Sequence, residues 1–176
     1  MPDQPPANSD LHVLDALPVH PGEAPDPAAW RLRIDGLVGQ PLDLDLGGLA
    51  AMPQRLMVDD FGCLEGWTVP GLRWRGVAVA DLLARAEAAA EATWVQISAD
   101  DFSLPLTLEE ARAALLALEV NDEPLPAEHG GPARLVVPGG ECFTSIKWAE
   151  RIELRAEAGD NSARRIALDR LETAGA

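Results

Sequence analysis

From Trp30 onward the chain alternates. Trp30-Arg31-Leu32-Arg33-Ile34 and Leu42-Asp43-Leu44-Asp45-Leu46 make every second residue apolar, with the turn Asp35-Gly36 after the first run. Successive side chains of a strand point to opposite faces, so a period of two gives one buried and one wet face, which a helix cannot do with the same order. The folded part is therefore expected to open as a hairpin-like strand pair whose apolar face needs a cover. With 47% hydrophobic residues among 176, the chain can bury one substantial core. That core is assigned to a single domain over residues 29–158. A proline- and acid-rich extended segment precedes it over 1–28, with Leu11 to Val19 able to dock, and a charged tail follows over 159–176.

Further strands are expected at Leu56-Met57-Val58, Trp74 to Val77, Thr93 to Ser98, Arg134 to Val137 and Arg151 to Leu154. Val79, Leu82, Leu83 and Ala86 form a helical stripe, and Thr107-Leu108-Glu109-Glu110 has the capping-box order for a short helix through Ala114. Leu115 to Val120 reads as strand or helix, and Asn121-Asp122-Glu123-Pro124 as a turn. Gly62, Gly66, Pro70 and Gly71 predict a loop around Cys63, and Ile166 to Leu171 a docking helix. Many short strands with a few short helices give an α+β, sheet-dominated class.

Charge excludes whole functions. Twenty-nine acidic against fourteen basic residues give a formal charge of -15, which repels a phosphate backbone and an anionic bilayer alike. No apolar run approaches the roughly 18 residues of a spanning helix, and the first residues lack a basic-then-apolar export pattern, so a cytoplasmic protein is expected. In that reducing compartment Cys63 and Cys142 are expected as thiols or metal ligands, not a disulfide. Zinc, P-loop and dinucleotide motifs do not occur.

Several residues admit two readings. Cys63, before a turn, is a small buried hydrophobe or a soft ligand for a metal. Lys147 is the only lysine, either a surface cation or, with Arg134 and the Ser145 hydroxyl, part of a phosphate pocket that an acidic protein must concentrate locally. His129 and His20 are loop histidines that face solvent or a ligand. Ser98, Asp100 and Asp101 read as a solvated turn rather than as the border of a loop that faces a metal, Trp74 as core, and Trp67 as core or site entrance.

The ordered set of runs resembles the sulfite-oxidase-fold family of molybdopterin-binding oxidoreductases. It comprises Cys63-x-Glu65-x-Trp67, Trp74-x-Gly76, Leu82-Leu83, Asn121-x-x-Pro124-Leu125-Pro126, His129-Gly130-Gly131-Pro132-x-Arg134-Leu135-Val136-Val137-Pro138 and Ser145-Ile146-Lys147-Trp148, across about residues 30 to 156. The resemblance implies a molybdenum-molybdopterin cofactor, with Cys63 as metal ligand and catalytic residue. His129, Arg134, Ser145, Ile146 and Lys147 would contact the cofactor, and His20 more weakly. It also implies a small-molecule substrate, oxygen-atom transfer and an external electron-transfer partner.

The chain departs from sulfite oxidases proper, which carry an Asn-Arg-Arg run after the cysteine and a tyrosine beside the metal. Here Leu64-Glu65-Gly66 follows Cys63, and there is no tyrosine. That points away from sulfite and toward the branch of the methionine-sulfoxide reductase catalytic subunit, although the twin-arginine signal of that exported branch is not seen. Gly62 stands where a polar or basic residue is common, and Cys142 where a glycine is. The missing substrate-side residues also motivate a second reading, a non-catalytic module of the same fold that binds a pterin or a partner.

Overall fold

The structure, a computed structural model, describes residues 22–64 and 66–174. His20 and the stretch Leu11 to Val19 lie outside the described residues. The first alternating run becomes β1 (Leu32–Gly36) and the second β2 (Leu42–Leu44), antiparallel with Leu32 opposite Leu44, and in β2 the two leucines are buried around an exposed Asp43. The alternation does not carry through Leu46. The Asp45 carboxylate accepts from the Gly48 amide at 2.7 Å and caps a short helix, α1 (Leu46–Ala50), so a side chain that reads as strand exterior starts a helix.

β3 (Gln54–Gly62) and β4 (Thr68–Ala78) form a long antiparallel pair that is longer than the sequence indicates. Pro70 and Gly71 sit inside β4, at an irregularity where the register shifts between Asp59 and Phe61, and the Gly71 amide donates to the Asp60 carboxylate at 2.8 Å. The loop around Cys63 is thereby confined to the residues between Gly62 and Thr68. A bulge frees a proline from the ladder, which local composition does not reveal.

α2 (Val79–Arg85) buries Val79, Leu82 and Leu83; its first amide donates to the Ala114 carbonyl in place of a side-chain cap. β5 (Trp94–Ala99) pairs with β6 (Phe102–Thr107), a strand not expected from the sequence because Pro105 interrupts it; β6 is the last strand of its sheet, where a missing donor is tolerated. Thr107 and Glu110 complete the expected capping box of α3 (Leu108–Ala113). β7 (Leu115–Val120) settles the helix-or-strand ambiguity as strand. It turns through Asn121 and Asp122, both at positive φ, into β8 (Glu123–Pro124). β9 (Arg134–Val136), β10 (Arg151–Arg155) and α4 (Ser162–Ala174) complete the chain.

Two five-stranded sheets result. One runs β2-β1-β10-β5-β6, with β1 and β10 parallel, and the other runs β3-β4-β7-β8 with β9 beside β7. The larger core, which includes Trp30, Ile34, Leu49, Leu82, Ile97 and Ile152, is built by the first sheet and the helices together with Val77, Leu116 and Leu135 of the second sheet; a smaller core holds Phe61, Leu72, Trp74, Leu115, Val120 and Leu125. Among the described residues no helix is long and apolar enough to cross a membrane.

Candidate cofactor site

The site lies where the end of β3 meets the segment after β9. An isolated bridge pairs Gly62 with Glu141, and the Gly139 amide donates to the Asp59 carboxylate at 2.9 Å. That stitching sets the next residue of each segment side by side, so Cys63 Sγ and Cys142 Sγ are 3.0 Å apart although 79 positions separate them. Both are thiols and both are partly buried. Trp67 packs its ring on Phe61, with centroids 6.0 Å apart, and so sits against the smaller core beside the sulfur pair.

Arg134 opens β9 and is 2% exposed. One guanidinium nitrogen donates to the His129 carbonyl at 2.8 Å, while the group lies over the Phe61 ring at 4.9 Å and the Trp74 ring at 5.6 Å. Nε has no hydrogen-bond partner, and among the described residues no carboxylate pairs with it. Burial pushes its pKa down to about 10, partly opposed by Cys142. An arginine is almost never left so deeply buried without an acid unless an anion completes it.

Lys147 stands on the same cavity. Its Nζ donates to the Glu128 carbonyl at 2.7 Å. Burial, then the nearby charge of Arg134, lowers its pKa to about 8, with Glu128 opposing and Arg170 adding a smaller push. Gly130, at φ 108°, permits this crowding: a Cβ there would stand 3.0 Å from Lys147 Cγ and 3.2 Å from Arg134 Cβ. The Trp148 indole donates to the Ala127 carbonyl at 2.9 Å and the Ile146 carbonyl accepts from the Leu135 amide, which fixes the run Ser145 to Trp148 against the His129 turn.

A cavity of about 140 Å³ is lined by Arg134, Cys142, Ser145, Ile146 and Lys147 from these segments, by the rings of Phe61, Phe102 and Phe143, and by Ala163, Ile166, Ala167 and Arg170 of α4. Five of the sequence-predicted residues thus converge, Cys63 through its contact with Cys142 and the other four in the lining. His129 is 5% exposed, and its carbonyl supports Arg134. Ser98, Asp100 and Asp101 sit at the β5–β6 hairpin end, where the Asp101 carbonyl accepts from the Ser162 hydroxyl at 2.6 Å. The α4 contribution was missed: a docking helix is legible, but its i, i+3, i+4, i+7 face of Ala163, Ile166, Ala167 and Arg170 was not assigned to the site.

Comparison with known proteins shows the family. The family described as "Oxidoreductase molybdopterin binding domain" matches residues 19–163. The chain belongs to that family. Molybdenum-molybdopterin is the cofactor that membership assigns. The chain is 34% identical over 153 residues to the uncharacterized oxidoreductase YuiH of Bacillus subtilis, covering 83% of this chain and 77% of that protein. It is 32% identical over 164 residues to the protein-methionine-sulfoxide reductase catalytic subunit MsrP of Gluconobacter oxydans, covering 81% and 52%. The sulfane dehydrogenase SoxCD of Paracoccus pantotrophus superposes with a TM-score of 0.70 at 28% identity, over 76% of this chain and 40% of that one. The expected sheet-dominated fold and family are thereby borne out.

The residues present fit such a group. Cys63 Sγ is a partly buried soft donor of the kind that suits a metal whose other donors arrive with the cofactor. Arg134, with its bare Nε and no acid partner among the described residues, suits a phosphate.

Proposed function

We propose that this protein is a molybdenum-molybdopterin oxidoreductase in which Cys63 Sγ is the protein ligand to the metal and Arg134, Ser145 and Lys147 receive the cofactor phosphate. One observation carries the reading: a buried arginine with no acid partner among the described residues shares a cavity with a lysine and a hydroxyl, beside the two-sulfur contact of Cys63 and Cys142. When bound, the cofactor supplies two-electron redox chemistry with oxygen-atom transfer on a small or sulfur-containing substrate.

The chain's residues do the rest. Cys63, on a short loop held by bridged strands, offers a fixed soft donor. Arg134 and Lys147 neutralise a dianion in a protein whose overall charge would repel it. His129 contributes through the carbonyl that orients Arg134, and Ile146 through the apolar wall. Trp67 and Phe61 keep water from one side of the sulfurs. Electrons pass to or from an external partner, and a cytoplasmic location suits thiols that must stay reduced for loading.

Metal and pterin analysis of protein purified from a molybdenum-competent host tests this directly. About one molybdenum and one pterin per chain are expected, and Cys63→Ser should drop molybdenum to background with an unchanged circular-dichroism spectrum. Pterin without molybdenum in the wild type would favour the non-catalytic binding module, and neither would remove the reading.

A further inference from the structure

Helix α4 has an unusual stripe. Ala163, Ile166, Ala167 and Arg170 fall at i, i+3, i+4 and i+7, so they share one face, and all four line the cavity. Three are apolar and the fourth is an arginine. Ile166, Ala167 and Arg170 lie beyond the residues 19–163 that the family matches.

The helix is anchored at its start. The Ser162 hydroxyl donates to the Asp101 carbonyl at 2.6 Å and accepts from the Ser103 amide at 2.8 Å, and the Asp160 carbonyl accepts from Gln96 Nε2 at 2.7 Å. These bonds tie the helix to the β5–β6 hairpin and lay it across the turn Cys142–Thr144. Ala163 is 2% exposed at that anchor, whereas Ile166 and Ala167 are partly exposed and Arg170 exposed, so contact loosens along the helix.

The cavity enclosed by this face and the Ser145-Ile146-Lys147 run, about 140 Å³, is smaller than the roughly 300–1,000 Å³ of sites that take whole drug-sized ligands. It suits one anionic end of a cofactor. Two cations, Arg134 and Lys147, already stand on its inner side, and Arg170 stands on its outer side.

We propose that α4 is the outer wall of the phosphate end of the cofactor site and that Arg170 is a third cation for that phosphate, closing the pocket from the solvent side. This rests on the phosphate-pocket reading of Arg134 and Lys147. Three cations packed round one small cavity repel each other until an anion enters, and a dianion draws the flexible outer one inward. A loaded protein therefore holds α4 more firmly than a cofactor-free one.

The test compares R170E, R170K and K147A with wild type, all expressed in the loading host, with circular dichroism confirming the fold. The readouts are pterin per chain after gel filtration in high salt and the trypsin cleavage rate at Arg164, Arg165 and Arg170 with and without cofactor. R170E is expected to lower pterin retention about tenfold or more, the scale of one charge-assisted contact, and R170K to restore most of it. Cofactor should slow cleavage within α4 severalfold. Full retention by R170E while K147A loses pterin overturns the third cation alone, and equal cleavage of loaded and cofactor-free helix overturns the wall. Full retention by K147A and R170E together overturns the pocket reading as well.

Discussion

The two cores of this protein obey different rules. The core beneath β2-β1-β10-β5-β6 is leucine, isoleucine, valine and alanine with Trp30, and β1, β2 and β10 alternate as half-buried strands should, while β5 buries Val95, Gln96 and Ile97 in a row. The smaller core of β3, β4 and β7 lies against a buried arginine between Phe61 and Trp74, and against Cys142. A core that only has to fold is consistent with its local pattern. The second contains a side chain that folding alone would exclude, as the proposed anion site requires.

Arg134→Met gives the sharpest contrast between them. Removing a buried charge that has no acid partner among the described residues leaves the cofactor-free protein as stable or more stable, by up to about 1–4 kcal/mol, while binding of a phosphate-bearing pterin weakens by about 2–5 kcal/mol. Calorimetry on the cofactor-free protein and pterin retention on the loaded one measure the two signs; a destabilised fold with intact retention would erase the distinction. Ile152→Ala should do the reverse. Ile152 is fully buried in β10, so truncation costs about 2–5 kcal/mol in denaturant unfolding, with pterin per folded chain unchanged.

pH separates the regions less sharply. Burial, and then Arg134, hold the Lys147 pKa at about 8 in the cofactor-free protein, whereas a bound phosphate favours the charged lysine. Cofactor affinity is thus complete below about pH 8 and falls by up to about tenfold per unit as pH rises above it. Fold stability moves oppositely. A lysine with a depressed folded pKa penalises the fold while charged, and that penalty fades as pH rises from about 8 toward the ordinary 10.5. Titrations of pterin binding and of thermal unfolding between pH 7 and 10 read both slopes. The smallest effect is expected at Thr107→Ala, which removes one half of the α3 capping box for about 1 kcal/mol and leaves the cofactor site untouched.

Legibility followed the same division. The alternation at β1 and β2, the stripe of α2 and the capping box of α3 are local, and all were readable. Misreadings fell where distant contacts overrule local composition: Pro70-Gly71 inside a bulged β4, Pro105 on an edge strand, and Leu46 drawn into a helix by the cap at Asp45. At the site, the ordered runs around Cys63, Arg134 and Lys147 pointed by resemblance to residues that the fold brings close together. Their own patterns left each of them with two readings, because a thiol, an arginine or a lysine in a loop looks alike in water and in a pocket.

By itself the sequence determined the sheet-rich class, the net charge and the side chains available for the chemistry, because periodicity and composition act over a few residues. Tertiary structure decided that β1 would lie parallel to β10, that two sulfurs 79 positions apart would touch, that Arg134 would be buried between two aromatic rings, and that α4 would line the same cavity. Those outcomes depend on which surfaces meet once the chain closes on itself. The free energy of a charge is set by its surroundings in space rather than by its neighbours in the chain.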